Sequence, residues 1–105
     1  MKHMLPVELQ ARLVAGDKLQ LVDVREAWEF NTARIDGSKL IPMDEVAART
    51  GELDHDADII VICHHGGRSL QIAAFLEREG FSKVHNLTGG VDAWARSIDP
   101  SMQAY

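Results

Sequence analysis

The chain has 105 residues, of which 46% are hydrophobic and 26% are charged, and its formal net charge at pH 7 is -5. This size and balance predict one compact domain over residues 1–105, with a core that needs no disulfide or metal. The acidic balance argues against nucleic-acid binding, and no apolar stretch approaches the ~18 to 20 residues of a membrane span. No apolar signal segment follows the first residues. We therefore expect a cytoplasmic protein with no nucleic-acid or membrane partner.

Short apolar runs alternate with amphipathic segments, a pattern that predicts a parallel sheet with helices packed on both faces. Residues 1–4 are given no structural role. Pro6 suits the first turn of a helix that places Leu9 and Leu13 on one face and ends at Gly16. The further strands expected are Leu19–Val24, Lys39–Ile41, Ile59–Ile62 and Lys83–Leu87, and the further helical segments are Glu26–Phe30, Asp44–Arg49, Ser69–Gly80 and Val91–Arg96.

Helical spacing favours a core position for several large side chains and a surface position for most of the remaining chemistry-bearing residues. The residues expected in the core are Trp28, Leu70, Ala73, Ala74, Phe75, Leu76 and Trp94. Those expected to have no role in a site are His3, His55 and His85. The acidic run Asp54–Asp58 lacks the glycine and the closing Glu of a calcium loop, so no metal is expected there.

The single cysteine, Cys63, decides the functional interpretation. It directly follows Ile59–Ile62, a β-branched run that predicts a central strand buried on both faces. The carboxyl end of such a strand is where open α/β sheets bind their ligands. A lone cysteine can form no internal disulfide and lacks the partners of a thiolate zinc site, so Cys63 is either an inert core thiol or a reactive thiolate.

The segment after Cys63 favours the reactive thiolate. A glycine-containing loop that opens a helix can turn backbone N–H groups toward an anion, and Arg68 is placed to add positive charge. A stabilised thiolate can attack a sulfur donor and hold the extra sulfur as a persulfide, which is also an anion. We therefore predict Cys63 as the catalytic nucleophile. The residues predicted to bind substrate are His64, His65, Gly66, Gly67, Arg68 and Ser69.

Asp23 and Arg25 stand at the end of the strand expected beside the Cys63 strand. They could shape the site without touching substrate, but salt-bridging and capping with Glu29 is the favoured interpretation. His64 and His65 either contact substrate or are loop surface, and the sequence leaves both open.

Taken together, these motifs resemble the rhodanese family over nearly the whole chain. The residues that carry the resemblance are Asp23–Glu26 with Glu29, Ile35–Gly37, Cys63–Ser69, and Leu87–Gly90 with Trp94. The resemblance implies a five-stranded, mainly parallel sheet flanked by helices on both faces, with the six-residue loop Cys63–Arg68 at the site. It also implies a sulfurtransferase that moves a sulfane sulfur from thiosulfate through a cysteine persulfide to cyanide or a thiol, with no metal or organic cofactor.

Two features of the loop refine that expectation. Related phosphatases and arsenate reductases have a loop one residue longer, so the shorter loop here favours a single sulfur over a phosphoryl or arsenyl group. Some family members carry a fixed positive charge at the middle of the loop, where this chain has His64 and His65. The Cys-His-His-Gly opening resembles rhodanese modules attached to sulfur-carrier activating enzymes. A persulfide donor, or a sulfur-relay module that serves a partner protein without turnover, is therefore the alternative expectation.

Overall fold

Five parallel strands form one sheet at the centre of the molecule, in the order β1-β5-β4-β2-β3. A computed structural model describes all residues 1–105. The strands are β1 (Lys2–Met4), β2 (Leu19–Asp23), β3 (Lys39–Leu40), β4 (Asp58–Ile62) and β5 (Val84–Leu87). The α-helices are α1 (Pro6–Val14), α2 (Ala27–Thr32), α3 (Gly67–Arg78) and α4 (Gly90–Ser97), and two 3₁₀ helices span Met43–Ala48 and Thr50–Glu52.

Strand β4 is the middle strand, and its alternating side chains supply both faces of the core. Ile59 and Val61 pack with buried residues of α3 and of the first 3₁₀ helix. Ile60 and Ile62 pack on the opposite face, with buried residues of α1 and α4. Because both faces are covered, β4 consists of a continuous apolar run rather than an alternating one. No helix is long and apolar enough to cross a membrane.

The α/β class, the helices on both faces and the central position of Ile59–Ile62 are confirmed. The predicted helix ends at Gly16 and Gly80 are also correct, since both glycines adopt positive φ angles of 78° and 96°. Trp94 is buried in the core, as expected.

One strand was absent from the element-by-element prediction. Lys2–Met4 forms β1 at the edge of the sheet, where it pairs with His85–Leu87 of β5. Assigning no structural role to residues 1–4 was therefore wrong. Only Met4 of these residues is buried, and three residues with one buried side chain carry no periodic signal.

Two predicted core residues lie at the surface instead. Trp28 is 62% exposed and Leu70 is 39% exposed. The buried side of α3 carries residues spaced three and four apart, and Leu70 falls outside that stripe. Its members are Ser69, Ile72, Ala73 and Leu76. In α2 the buried residue is Glu29, not the neighbouring Trp28.

A fully buried ion pair closes the carboxyl end of β2. Asp23 and Arg25 are both 0% exposed, and the guanidinium binds the carboxylate through Nε to Oδ1 at 2.9 Å and Nη2 to Oδ2 at 2.7 Å. Arg25 also donates to the backbone carbonyls of Glu29 and Ala33. The pair therefore connects β2 to the middle and the C-terminal end of α2.

Replacing Arg25 by methionine should destabilise the fold strongly, because Asp23 would be left as a buried carboxylate without its cation. We expect the free energy of unfolding, measured with urea, to fall by about 3 kcal/mol or more. Arg12→Met is the matched control, since Arg12 pairs with Asp17 and Asp58 in a partly exposed position. That variant should lose about 1 kcal/mol or less, and equal losses would contradict the role given to the buried pair.

Candidate active site

Cys63 lies immediately after β4, at the carboxyl edge of the sheet, and is only 1% exposed. The backbone N–H of Gly66 donates to its Sγ at 3.0 Å. Sγ in turn donates to the hydroxyl of Ser69 at 3.3 Å. The sulfur is therefore held between the turn of the loop and the first turn of α3.

Gly66 makes this turn possible. Its φ is +110°, in the region where residues other than glycine are strained, and it is the N-cap of α3. Because α3 begins at Gly67, two residues earlier than expected, its first N–H groups lie in the loop and have no intrahelical acceptor. The loop thus combines a backbone donor to sulfur with the positive end of a helix dipole.

The loop is fixed to α4 through its carbonyl groups. Val91 N–H donates to the carbonyl of Cys63 at 2.9 Å, and Asp92 N–H donates to that of His64 at 3.0 Å. This approach requires glycine at position 90, where φ is +60° and a Cβ would lie closer than 3.0 Å to both carbonyl oxygens. Gly90 is therefore a packing requirement of the loop.

Arg68 has a partner that the sequence did not indicate. Its guanidinium forms a bidentate ion pair with the buried Glu29, with distances of 2.7 Å and 2.9 Å. This pairing lowers the pKa of Glu29 to about 2, against the opposing effect of burial. It also raises the pKa of Arg68, to which the charge of Cys63 adds a smaller effect. Arg68 therefore reaches Cys63 only through a small Coulomb effect, while the Gly66 N–H donates to Sγ and Sγ donates to the Ser69 hydroxyl.

Asp23 and Arg25 lie behind this ion pair. The backbone carbonyl of Glu29 accepts a hydrogen bond from the Arg25 guanidinium. The Glu29 carboxylate accepts another from the N–H of Glu26, at the start of α2. Neither Asp23 nor Arg25 hydrogen-bonds to Sγ. Their contacts determine where Glu29, and through it Arg68, is placed.

The two histidines occupy the outer side of the loop. The His64 ring is half-buried and stacks on the ring of Tyr105, with centroids 4.0 Å apart and planes at 15°. Burial, followed by the nearby His65, lowers the pKa of His64. His65 is exposed, and its Nε2 lies 3.9 Å from Asp92 Oδ2. Near neutral pH, His64 therefore adds no fixed positive charge to the loop.

Tyr105 and Asn86 belong to the site but were missed. The Tyr105 hydroxyl accepts from Arg25 Nη1 at 2.6 Å and donates to Glu29 Oε2 at 3.1 Å, and its ring also meets the exposed Trp28 edge-on. Nothing in the sequence links positions 80 residues apart. Asn86 hydrogen-bonds to Ser69, and nothing in the sequence singled it out, because two of the four residues of β5 are polar.

The remaining histidines and acidic residues lie away from Cys63. His85 hydrogen-bonds to Asp58 at 3.0 Å, on the strands β5 and β4. His55 stacks on Phe81. A cavity of about 260 Å³ does adjoin the loop, between α4 and residues 100–105, and His64, Asp92, Arg96 and Tyr105 are in its wall.

Comparison with known protein families shows which family the chain belongs to. A Rhodanese-like domain model matches residues 5–97. The chain belongs to the rhodanese family. The predicted resemblance is thus confirmed, and the rhodanese fold accounts for the five-stranded sheet.

Similar proteins include both short and long members of the rhodanese family. The chain is 38% identical over 92 residues to a thiosulfate sulfurtransferase GlpE of Pseudomonas aeruginosa, covering 88% of this chain and 83% of that protein. It is 37% identical over 102 residues to a probable adenylyltransferase/sulfurtransferase MoeZ of Mycobacterium tuberculosis, covering 95% of this chain but 26% of that protein. The chain spans only 26% to 31% of the first curated relatives.

A solved structure agrees with the rhodanese assignment. The crystal structure of a rhodanese-like domain protein from Staphylococcus aureus superposes with a TM-score of 0.85 at 32% identity. The match covers 90% of this chain and 91% of that one. The fold is thus shared over nearly the whole length of both chains.

Gly90→Ala should both destabilise the protein and disturb the loop. A positive φ costs a non-glycine residue about 1–2 kcal/mol, and the forced contact with the two carbonyls should add about 1–3 kcal/mol. Gly16→Ala is the control, since φ is +78° there and a Cβ would meet nothing within 4 Å. Urea unfolding should show the larger loss for Gly90→Ala. Equal losses would mean that the close approach does not constrain position 90.

Glu29 should make stability depend on pH. Because folding lowers its pKa to about 2 from an ordinary 4.5, the ionised carboxylate stabilises the fold above about pH 4.5. That contribution is lost as the pH falls toward 2. In urea unfolding, Glu29→Gln should therefore differ most from the unsubstituted protein at pH 5 to 7, and the difference should shrink below pH 4.5.

Glu52→Gln is the control for this pH dependence. The pKa of Glu52 is also lowered to about 2, mainly by Arg49, but the carboxylate is on the surface, where solvent screens the interaction. Its pH-dependent difference should be clearly smaller than that of Glu29→Gln. A difference for Glu29→Gln that does not change with pH would refute the Glu29–Arg68 ion pair as a source of stability.

Proposed function

We propose that residues 1–105 act as one rhodanese domain that transfers a sulfane sulfur through a persulfide on Cys63. The observation that carries the proposal is the position of Sγ at the end of β4, where it accepts the Gly66 N–H at the N-terminus of α3. Backbone N–H donors and helix N-termini are groups that stabilise anionic sulfur in proteins. Relatives named sulfurtransferases support the same reaction class.

The proposed reaction has two displacements at sulfur. The Cys63 thiolate attacks the sulfane sulfur of the donor, and the donor's bond to that sulfur breaks with its electron pair leaving on sulfite or a thiolate. The product is a Cys63 persulfide anion. A cyanide or thiolate acceptor then attacks the outer sulfur, and the electron pair of the Sγ–S bond returns to Cys63. No oxidant, reductant or cofactor is consumed.

The loop residues have distinct roles in this proposal. Gly66 and the first N–H groups of α3, from Gly67 onward, stabilise the thiolate and then the persulfide. The Ser69 hydroxyl accepts a hydrogen bond from the Cys63 thiol and so orients Sγ. Arg68 is held by Glu29, and this pairing leaves it only a weak positive field at Cys63. His64 and His65 border the entrance.

The Arg68–Glu29 pair also bears on the choice between sulfur and phosphate. A phosphatase or arsenate reductase loop uses its arginine to grip a tetrahedral oxyanion, often with two hydrogen bonds. Here both ends of the guanidinium are already bound to Glu29. Together with the short loop, this favours a sulfur substrate.

We propose a persulfide, rather than thiosulfate, as the preferred donor. Thiosulfate is a dianion, and the loop offers it little fixed positive charge, because Arg68 is neutralised by Glu29 and burial disfavours protonation of His64. A thiol persulfide carries less charge and needs less compensation. Because Cys63 must remain a free thiol, we place the reaction in a reducing compartment such as the cytoplasm.

A sulfur carrier that serves a partner protein is the second candidate. In relatives named probable adenylyltransferase/sulfurtransferase, the segment similar to this chain makes up 26% of the protein's length. A domain of this kind would load one sulfur and release it only to its partner.

The proposal predicts that the protein gains one sulfur atom on Cys63. Intact-mass spectrometry after incubation with glutathione persulfide, polysulfide or thiosulfate should show this gain, fastest with the persulfide. Cys63→Ser is a clean control, because the chain has no other cysteine. No gain with any donor, or a gain that persists in Cys63→Ser, would refute the persulfide.

The loaded protein also separates the two candidates. Repeated formation of thiocyanate from cyanide indicates an enzyme. A single stoichiometric release, with turnover restored by a partner protein, indicates a carrier.

A further inference from the structure

Three metal-ligating side chains converge on the outer side of the Cys63 loop. His64, His65 and Asp92 each offer one donor atom, and these atoms all lie within 4.8 Å of one another. The two histidines are consecutive in the loop, and Asp92 is in the first turn of α4. The proposed sulfur transfer assigns no chemical step to any of them.

The backbone holds these residues in register. Asp92 N–H donates to the carbonyl of His64 at 3.0 Å, so the start of α4 cannot shift relative to the loop without breaking this bond. The His64 ring is also confined, since it lies 4.0 Å from the Tyr105 ring and 3.9 Å from the His65 ring. His64 and Asp92 are therefore largely in position before any ion binds.

The spacing suits an ion better than a direct contact. His65 Nε2 and Asp92 Oδ2 are 3.9 Å apart, too far for a hydrogen bond. Ligands about 2.0–2.1 Å from a tetrahedral zinc ion are separated from each other by roughly 3.3 Å. Small side-chain rotations at the exposed His65 would bring the donor atoms to that separation.

One neighbour competes for the carboxylate. Arg96 Nη2 lies 3.0 Å from Asp92 Oδ2, in a pair spaced one helical turn apart. The Arg96 side chain is largely exposed, and such surface pairs contribute little free energy. A divalent cation can therefore displace it.

We propose that His64, His65 and Asp92 form a binding site for a divalent cation of the zinc class. Two imidazoles and one carboxylate suit zinc and neighbouring transition metals, whereas calcium and magnesium prefer oxygen ligands throughout. Three protein ligands leave a fourth position open to water or to a sulfur ligand. Cys63 is not a ligand, because its Sγ is buried and hydrogen-bonded to Gly66 and Ser69.

Zinc binding to the Cys63→Ser variant tests the site independently of any sulfur chemistry. Zinc chloride should be titrated calorimetrically into the untagged, metal-free protein near neutral pH. We expect one ion per chain. His65→Ala and Asp92→Asn should each weaken binding by about tenfold or more, which corresponds to about 1.4 kcal/mol.

Two controls separate ligation from general surface effects. His55→Ala removes an exposed histidine that stands between two aspartates in the sequence. Because these three side chains do not form a metal-binding cluster, zinc binding should be unchanged. Arg96→Gln breaks the same ion pair as Asp92→Asn while leaving the carboxylate, and it should bind zinc at least as tightly as the parent. Weakened binding in Arg96→Gln would indicate that the pair, not ligation, matters.

The proposal is overturned if Cys63→Ser binds no zinc at millimolar concentration. Binding by the cysteine-containing protein alone would identify the thiolate as the ligand. The proposal is equally overturned if His65→Ala and Asp92→Asn bind as tightly as the parent. Either result leaves the sulfur-loading experiment unaffected, so the two proposals fail separately.

Discussion

The hydrogen bonds between α4 and the carbonyls of Cys63 and His64 are the constraint on which the site depends. In a trans peptide the N–H of the next residue points away from the carbonyl before it, and the chain contains no cis peptide. Holding both carbonyls against α4 therefore turns the following N–H groups to the other side of the loop. Gly90 permits the contact, and Gly66 then bends the chain so that its own N–H reaches Sγ.

A second constraint is a chain of charges beneath the loop. Asp23 holds Arg25, Tyr105 bridges Arg25 and Glu29, and Glu29 holds Arg68. Because these groups are mostly buried and mutually hydrogen-bonded, the loop's arginine is fixed in place and largely neutralised. In the proposed function, the loop would therefore stabilise an anion mainly with backbone dipoles, and this is why we propose a small, weakly charged sulfur species as donor rather than a dianion.

The features that could be predicted from the sequence are those that depend on neighbouring residues along the chain. The apolar run of β4, the glycines after Cys63 and the helix that follows fixed the sheet class and the position of the cysteine. The edge strand β1 has one buried side chain and gave no signal. The prediction of a core position for Trp28 was wrong because its aromatic contact is the distant Tyr105. The partner of Arg68 was missed because Glu29 lies 39 positions earlier in the chain. Only the tertiary structure brings such residues together.

The central claim is that loop amides hold the sulfur carried by Cys63, and amide NMR tests it most directly. Spectra of ¹⁵N-labelled protein should be compared before and after loading with glutathione persulfide, with loading verified by mass. The account predicts the largest shift changes at Gly66 and Gly67, with Gly16 and Gly37, remote in sequence from the loop, unchanged. A fully loaded protein whose Gly66 amide does not shift would contradict it.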